Sequence, residues 1–275
     1  MKVIIGVLLV SLALANAERD WSKVFPNHLP NPAGTRLPHG LPSSRIVGGT
    51  EAPPNSIPYQ VALFLPVQGG TSFCGGSLIS RKTVLTAAHC VDSLVGPVEV
   101  VLGAHNVRDD EATQVRVTTS SINIHPGWSA LTLRNDLALI RLPNEVELSD
   151  NIQPIALASD TSNTFEGHEA TASGWGLDSD SSTSISPILR KVTIPVIANS
   201  VCNIAYFGVI QDSHICASGL GGKSTCNGDS GGPLTVAGVQ VGITSFGIAL
   251  GCEIGWPPAF TRVSYFYDWI IANID

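Results

Sequence analysis

The sequence Gly-Asp-Ser-Gly-Gly at residues 228–232 decides the fold of this chain. Three glycines around Ser230 let the backbone turn tightly and come close to a bound carbonyl group. A serine hydroxyl is a poor nucleophile at neutral pH, so it needs a base beside it, and that base needs a third group to fix its tautomer. If Ser230 reacts, a histidine and an acid must therefore lie close to it.

The order of residues along the chain excludes one fold for this serine. Gly-x-Ser-x-Gly also marks the nucleophile elbow of α/β-hydrolases, in which the acid and the histidine follow the serine. Here the last histidine is His214, which precedes Ser230. The chain also shows no regular alternation of strand and helix patterns, which that fold requires. An α/β-hydrolase is therefore excluded, and the partners of Ser230 must lie upstream.

His89 and Asp136 are the upstream candidates. His89 ends the sequence Leu-Thr-Ala-Ala-His at 85–89 and is followed by Cys90, which could staple its loop. Asp136 leads into the apolar run 137–140, so we expect its carboxylate to be buried and to need a donor such as an imidazole N–H. Alone, each residue is more often structural, the histidine in a core and the aspartate at a strand end. The order His, Asp, Ser also differs from that of subtilisins.

The remaining pattern is typical of an all-β fold, either a sandwich or a barrel. Hydrophobic residues make up 44% of the chain and charged residues only 13%, which argues against disorder. Polar and apolar residues alternate at 114–119, as in a strand with one wet face. The only convincing helix is C-terminal, where Val263, Phe266, Ile270 and Ile274 share one helical face. Clusters of Gly, Pro, Asn and Ser separate the β-rich runs, which are 59–65, 83–86, 98–102, 114–119, 137–141, 189–196 and 239–246.

The first 45 residues differ from the rest. Residues 1–17 have a basic start, an apolar centre and an Ala-Asn-Ala end, which predicts a secretory signal peptide. The alternative, a membrane anchor, needs about 20 apolar residues, more than are present. Residues 18–45 contain five prolines and no cysteine and end in Arg45, which indicates an extended, exposed linker.

Charge and cysteine content exclude further classes. Residues 46–275 carry 10 Lys and Arg against 20 Asp and Glu, and such an acidic surface repels nucleic acid and anionic membranes. The six cysteines are an even number in a chain predicted to be secreted, so disulfides are expected, although six cysteines allow about 15 pairings. No Cys-x-x-Cys pair occurs, so we expect no zinc or redox motif and no cofactor.

Five motifs in register carry a resemblance to a known family. They are Ile-Val-Gly-Gly at 46–49, Leu-Thr-Ala-Ala-His-Cys at 85–90, Asn-Asp-Leu-Ala-Leu-Ile at 135–140, Ser-Gly-Trp-Gly at 173–176 and Gly-Asp-Ser-Gly-Gly-Pro at 228–233. The chain resembles the chymotrypsin/trypsin family of serine proteases across essentially all of 46–275. Residues 251–262 look most similar to arthropod chymotrypsin-like and collagenase-type (brachyurin-like) enzymes. The resemblance implies a protease domain at 46–275 with two packed six-stranded antiparallel β-barrels, the active site between them and a C-terminal α-helix.

The resemblance also implies the roles of individual residues. Ser230 attacks the peptide carbonyl, His89 is the general base, and Asp136 orients His89. The backbone N–H groups of Gly228 and Ser230 form the oxyanion hole, and Ser245 helps to hold Asp136. By the same resemblance the disulfides are Cys74–Cys90, Cys202–Cys216 and Cys226–Cys252.

Residues 18–45 then become an activation propeptide. Cleavage between Arg45 and Ile46 by a trypsin-like protease frees the amino group of Ile46, which in the family pairs with Asp229 and shapes the oxyanion hole and the pocket. Removing one member of a buried ion pair costs about 3–5 kcal/mol, so the uncut chain is expected to be nearly inactive. The alternative is that Asp229 merely caps a turn. Since residues 18–45 contain no cysteine, the propeptide is expected to leave after cleavage.

For substrate binding, the resemblance places Ser224 at the base of the primary pocket, with Gly247 and Pro258 on its walls. Ser224 leaves the base uncharged, which favours a large apolar or aromatic side chain over Lys or Arg. Ser245, Phe246 and Gly247 are expected to form an edge to which the substrate adds as an antiparallel strand.

Two departures from the family affect this pocket. Pro258 stands where many chymotrypsins have glycine, and the run 248–251 is longer than in compact vertebrate forms. The specificity is therefore either narrowed or broadened towards a collagenase-like range. Ala104 falls where calcium-binding relatives carry a glutamate, so no metal site is expected.

The resulting expectation is a secreted, extracellular serine endopeptidase made as a zymogen, with a digestive role. Its expected partners are protein or peptide substrates, an activating trypsin-like protease and protein inhibitors, and it is expected to be a monomer. The alternatives are a non-catalytic relative acting in binding or signalling, a cascade protease with one target, and an enzyme with trypsin-like specificity. The intact triad disfavours the first, the lack of extra cysteine-rich segments the second, and Ser224 the third.

Overall fold

The computed structural model describes residues 19–27, 45–248 and 250–274. Their regular structure is mostly β. The predicted signal peptide at 1–17 lies outside the described residues, as does the predicted propeptide apart from 19–27 and Arg45. Within the described ranges, no helix is long and apolar enough to cross a bilayer.

Short strands follow one another along the described chain. They are β1 (Val24–Pro26), β2 (Thr50–Glu51), β3 (Gln60–Val67), β4 (Gly70–Leu78), β5 (Thr83–Thr86), β6 (Val98–Leu102), β7 (Val115–Thr119), β8 (Ile122–Ile124), β9 (Ala138–Arg141), β10 (Ala156–Leu157), β11 (Glu169–Gly174), β12 (Arg190–Ile197), β13 (His214–Ala217), β14 (Pro233–Val236), β15 (Val239–Phe246) and β16 (Ala259–Arg262). The α-helices are α1 (Arg45–Gly48), α2 (Ala88–Val91), α3 (Asn199–Tyr206) and α4 (Tyr267–Asn273), and 3₁₀-helices cover Trp21–Lys23 and Val263–Phe266.

The first sheet is a barrel of six strands when β7 and β8 are counted as one. Its strands lie in the order β7-β6-β3-β4-β5-β9-β8, and these neighbours all pair antiparallel. Only Ser120 and Ser121 separate β7 from β8, so the two are halves of one bent strand. The continuity of that strand closes the barrel.

The second sheet closes by hydrogen bonds. Strands β11, β12, β13, β16, β15 and β14 form an antiparallel ring in that order, and β14 pairs again with β11. The predicted pair of six-stranded antiparallel barrels is therefore confirmed. Three short strands that were not predicted pair at the margins: β1 with β4, β2 with β12 and β10 with β15.

The predicted β-rich runs coincide with β3, β5, β6, β7, β9, β12 and β15 to within two residues at either end. The alternation at 114–119 does give a strand with a wet face. Its apolar face is less buried than expected, since Val115 is 38% exposed. The reason is that β7 has a neighbour on one side only, β6.

One sequence prediction is wrong for part of the propeptide. Residues 18–45 were predicted to be an extended, exposed linker. The described part, 19–27, instead lies against the first barrel, where β1 pairs with β4 and Val24 is buried. The segment is extended, as predicted, but tertiary contacts with buried aromatic side chains outweigh its local preference for a fully solvated backbone.

The C-terminal segment returns from the second barrel to the first. Val263, Phe266 and Ile270 are buried in the first core, and Ile274 packs against it. The predicted helical face is thus present, but its first turn is a 3₁₀-helix rather than an α-helix. The helix α3 was not predicted, because Cys202 is its one buried residue and no apolar stripe marks it. The two barrels are therefore connected through a shared core as well as through the chain.

Candidate active site

The pairing of β5 with β9 places His89 beside Asp136. The two strands are antiparallel, with Thr86 opposite Ala138, so β5 ends where β9 begins. His89 follows Thr86 by three residues, in α2, and Asp136 precedes Ala138 by two. Both side chains consequently lie at one edge of the first barrel.

Asp136 holds His89 through two hydrogen bonds. His89 Nδ1 lies 2.7 Å from Asp136 Oδ2, and the His89 backbone N–H donates to Oδ1 at 3.0 Å. Burial alone would raise the pKa of Asp136, but the charge of His89 and the hydrogen bonds from His89 and Ser245 outweigh it and hold the pKa below 3.8. Asp136 is therefore an ionised carboxylate that fixes the imidazole through Nδ1 and leaves Nε2 on the opposite side of the ring.

The second barrel supplies further donors to Asp136. Ser245 Oγ, in β15, donates to Oδ2 at 2.5 Å. Thr261 Oγ1, in β16, donates to the Asp136 backbone carbonyl at 2.8 Å. Thr261 was not predicted, because a threonine inside a strand carries no sequence signal for this contact. Asp136 is thus one of the points at which the two barrels meet.

Ser230 lies in a tightly held turn before β14. Its carbonyl accepts from the N–H of Gly75 at 2.8 Å, and the Gly231 N–H donates to the Thr244 carbonyl at 2.8 Å. Gly231 has a φ of +78°, and a Cβ there would lie 2.5 Å from the Gly75 carbonyl oxygen, so only glycine fits. Among the described residues, no hydrogen bond joins the Ser230 hydroxyl to His89. Ser230 therefore lies at the junction of the barrels, but its hydroxyl is not hydrogen-bonded to His89.

Three disulfides brace the loops of the site, and they are the pairs that the resemblance implied. Cys74–Cys90 joins β4 to α2 directly after His89, Cys202–Cys216 joins α3 to β13, and Cys226–Cys252 joins the segment before Asp229 to the loop before β16. Two clusters of potential metal ligands in the described chain include these cysteines, Cys74 with His89 and Cys90, and Asp180 with Cys226 and Cys252. Because the sulfurs are paired with each other, they offer no thiolate to an ion.

Asp229, by contrast, is buried with no cation beside it among the described residues. It is 0% exposed and accepts hydrogen bonds from the N–H groups of Gly176 at 2.8 Å and Cys226 at 2.9 Å. Burial outweighs these two bonds and raises the pKa of Asp229 to about 6. The Ile46 nitrogen is still joined to Arg45 in a peptide bond, and Ile46 has a strained φ of +27°. The described part of the uncut chain therefore carries an acid with no partner charge immediately before Ser230.

The residues predicted for the pocket base and walls differ in exposure. Ser224 is buried, and its Oγ donates to the Thr225 carbonyl at 2.9 Å. Pro258 is buried as well. Gly247 is exposed, and a Cβ on it would meet no atom within 4 Å, so the space beside it is open.

The predicted substrate edge lies at the end of β15. The pairing of β15 with β14 begins at Ile243, so beyond that residue one edge of β15 has no strand partner among the described strands. The Phe246 ring turns inward and packs edge-on against Tyr206 and His214, with centroid distances of 5.4 and 5.5 Å. The Phe246 side chain therefore does not cover the strand edge, and the backbone at 245–247 is available to pair with another strand.

Asp180 fixes the loop that follows the run 248–251. Its carboxylate accepts from the backbone N–H groups of Cys252 at 2.7 Å and Glu253 at 3.2 Å. A Cβ on Gly251, whose φ is +140°, would lie 2.5 Å from Asp180 Oδ2. Ala249 lies outside the described residues. Sequence reasoning missed Asp180, because one aspartate in a serine-rich loop gives no signal for a contact so distant along the chain.

The chain is similar in sequence and in structure to known proteins. The family model described as Trypsin matches residues 46–270. Brachyurin from Leptuca pugilator is 52% identical over 225 residues, which cover 82% of this chain and 96% of that protein. Chymotrypsin from Phaedon cochleariae is 42% identical over 232 residues, covering 83% and 82%. A solved structure titled HL collagenase matches with a TM-score of 0.75 at 42% identity, covering 82% of this chain and 96% of that one.

The pKa of Asp229 predicts how the stability of the uncut chain depends on pH. Because the folded-state pKa of about 6 lies above the ordinary 3.8, the folded state favours the protonated acid. The resulting stabilisation is complete below about pH 4, is lost as the pH rises through about 6, and amounts to roughly 3 kcal/mol. Urea unfolding of the uncut chain from pH 4 to pH 8 should show this loss.

The control is Asp229→Asn, which keeps the shape and removes the titration. Asp136 and the other acids are present in both chains, so their contributions cancel in the difference. The unfolding free energy of the uncut chain minus that of the variant should fall across this interval. Parallel pH profiles would contradict the conclusion that Asp229 lacks a cation.

Proposed function

The chain belongs to the trypsin family of serine endopeptidases, and we propose that it is a secreted zymogen that becomes active when it is cut after Arg45. The cut form hydrolyses peptide bonds through an acyl-enzyme, with preference for a large apolar or aromatic residue before the cut bond. The observation that carries the proposal is the buried pair of Asp136 and His89, with Oδ2 and Nδ1 2.7 Å apart, at the barrel edge that faces the Ser230 turn.

In the proposed mechanism, Ser230 Oγ attacks the carbonyl carbon of the substrate while His89 Nε2 takes the hydroxyl proton. The oxyanion that forms is held by the N–H groups of Gly228 and Ser230, which are fixed in the cut enzyme and therefore cost no reorganisation. Collapse of this intermediate expels the amine, which receives the proton from His89 and leaves the acyl group on Ser230. Water then repeats the sequence and releases the acid. Asp136 stays ionised throughout, as its lowered pKa supports.

Activation supplies the cation that Asp229 lacks. A cut after Arg45 turns the Ile46 nitrogen into an ammonium group. The side chain of Ile46 is already buried in the second core, and the carbonyl of Val47 accepts from the N–H of Ser224 at 3.0 Å. The new terminus therefore begins beside the proposed pocket base. Pairing with Asp229 fixes the peptide units on either side of that residue, including the oxyanion donors.

The pocket supports a preference for uncharged side chains. A buried cation needs a partner, and Ser224 offers only a hydroxyl that already donates to Thr225. Buried Pro258 shapes the remaining wall of the pocket. The loop before it also does so, because Asp180 holds that loop at Cys252. Similarity to proteins named brachyurin and collagenase supports acceptance of a wider range of side chains than a strict chymotrypsin.

The setting we propose is extracellular and digestive. The sequence at 1–17 directs secretion, and the disulfides suit an oxidising compartment. Arg45 selects a trypsin-like activating protease, the edge at 245–247 is open to protein inhibitors as well as substrates, and the chain acts as a monomer. Nothing in the described residues favours the non-catalytic alternative, since His89, Asp136 and Ser230 are all retained.

The cut enzyme should hydrolyse peptides ending in Phe or Leu at least about tenfold faster, by kcat/KM, than a matched peptide ending in Arg, because an unpaired buried cation costs several kcal/mol. A peptide ending in Ala completes the panel. Ser224→Asp is the matched variant and should shift the preference toward Arg, and Ser230→Ala should abolish turnover. Preference for Arg in the unmodified enzyme would overturn the pocket assignment. Absence of turnover on all four peptides would favour the binding-protein alternative.

Replacing Ser245 with alanine removes a hydrogen bond to the buried Asp136 carboxylate. Such a bond to an ionised group contributes about 1.5–3 kcal/mol net, so kcat should fall roughly ten- to 150-fold with KM little changed. Ser264→Ala is the matched control, since Ser264 is 2% exposed against 3% for Ser245 and its hydroxyl has no partner in the described structure. Equal changes in kcat for the two variants would show that Ser245 does not act through Asp136.

Activity of the cut enzyme should decline on the alkaline side. Pairing with Asp229 raises the pKa of the Ile46 ammonium above the ordinary value of about 8, and its stabilisation is present below that raised pKa and lost above it. A profile of kcat/KM against pH measures the decline. Acetylation after cleavage should abolish activity, whereas acetylation before cleavage blocks only the lysines and the chain terminus and should spare it. Full activity after the first treatment would refute the ion pair.

A further inference from the structure

Residues 19–27 add a strand to the first barrel. Strand β1 runs parallel to β4, with Val24 opposite Thr71 and Pro26 opposite Phe73. Beyond the strand, the Asn27 N–H donates to the Phe73 carbonyl at 2.9 Å. Gly70 permits the close approach, since a Cβ there would lie 2.8 Å from the Lys23 carbonyl oxygen. The segment is therefore bound along its backbone.

Side chains anchor the same segment. Val24 is 6% exposed and belongs to a cluster with Phe64, Phe73 and Trp175. The ring of Trp21 packs edge-on against Phe64, with centroids 5.9 Å apart. A buried valine and a packed indole are contacts typical of a specific interface.

Charged groups flank this apolar contact. The guanidinium of Arg19 lies 3.8 Å from the centre of the Phe64 ring and forms an ion pair with Glu99. The Arg108 guanidinium lies 5.1 Å from the centre of the Trp21 ring. Arg19 and Trp21 are thus each matched by a group on the barrel, which fixes the position of the segment along β4.

The segment ends at the proposed oxyanion hole. The carbonyl of Asn27 accepts from the N–H of Gly228 at 3.2 Å, and the Asn27 side-chain amide donates to the His89 carbonyl at 3.4 Å. A Cβ on Gly228 would lie 3.2 Å from Pro26 Cβ, so Pro26 fills the adjoining space. A substrate carbonyl cannot use the Gly228 donor while Asn27 occupies it.

We propose that residues 19–27 are an inhibitory segment, and that their binding site also holds them as a separate peptide after cleavage at Arg45. We call this site the docking surface; it is formed by Phe64, Gly70, Phe73, Glu99 and Gly228. The proposal rests on the proposed role of the Gly228 N–H in catalysis. The partner that fits is a short strand with a basic residue, an indole and a small apolar side chain, followed by a backbone carbonyl acceptor at the position of Asn27.

The contact is non-covalent, because residues 18–45 contain no cysteine. Before cleavage the segment is part of the same chain, and its effective concentration is on the order of millimolar. After cleavage the same contacts must hold a free peptide against dilution. The peptide therefore remains bound at high protein concentration and dissociates as the concentration falls.

The first test is a binding titration. A peptide of residues 19–27, acetylated and amidated, is titrated calorimetrically into the Ser230→Ala enzyme that has been cut at Arg45 and freed of its own N-terminal peptide. We expect one-to-one binding, weakened at least about tenfold when the peptide carries Val24→Asp, since that change places a charge in the apolar cluster. No binding at about 1 mM, or equal binding of the two peptides, would overturn the proposal.

The second test is inhibition of the active enzyme. The unmodified peptide should raise KM without changing kcat and should remain intact by mass spectrometry, whereas the Val24→Asp peptide should be much weaker. Binding without inhibition, or cleavage within the peptide, would overturn the inhibitory role. The titration uses an inactive variant and does not depend on turnover. If the unmodified enzyme hydrolysed no substrate, the proposed function would be refuted, and the titration alone would decide whether the peptide binds.

The third test uses the whole chain, cut at Arg45 without separating the peptide. Activity per molecule should rise on dilution, while a Val24→Asp chain treated in the same way should show constant activity. Should that variant fail to fold, Trp21→Ala loosens the same contact without adding a charge. Identical dilution profiles for the unmodified and variant chains would contradict retention of the peptide.

Discussion

A carboxylate that is taken fully out of water must be matched by hydrogen-bond donors or by a cation, and this chain buries two of them beside the Ser230 turn. Burial alone raises the pKa of either acid. At Asp136 the charge of His89 and the donors around it outweigh burial, and the pKa lies below its ordinary value. At Asp229 the described residues supply only two backbone N–H groups, and the pKa rises to about 6. The described residues therefore stabilise the negative charge of Asp136 but do not compensate that of Asp229.

The need to satisfy Asp136 also explains why the barrels hold a fixed relation. The first barrel contributes the aspartate and His89, while the second contributes Ser245 and Thr261 as donors. Neither barrel alone can satisfy the buried group. The C-terminal segment reinforces the arrangement, since Ile270 packs in the first core after the chain has completed the second barrel. The geometry of the cleft thus depends on packed strands rather than on mobile loops, which suits a site that must be held to a fraction of an ångström.

Local patterns were enough to predict many strands, such as β6 and β15, and the motifs around His89, Asp136 and Ser230 were enough to nominate them. Strand pairings and side-chain contacts between distant segments were not predictable from local patterns. Strand β4 was missed because Gly75 weakens its strand pattern, yet the barrel contact requires that glycine: a Cβ there would lie 3.0 Å from Gly232 Cα. Thr261 and Asp180 were missed for a related reason, since each acts on a group far away in sequence and neither stands in a recognisable motif.

Two features restrain the uncut chain in the proposed scheme, and they respond to different events. The missing cation at Asp229 is supplied within the same molecule as soon as the bond after Arg45 is cut, so that restraint is lifted at a rate independent of concentration. The contact of Asn27 with Gly228 is lifted only when the segment dissociates, and rebinding is faster the more protein is present. A stored, concentrated protein that is cut by accident would therefore stay inhibited through its own N-terminal segment. The same cut made after release into a larger volume would yield active enzyme, so cleavage and dilution together decide where the protease acts.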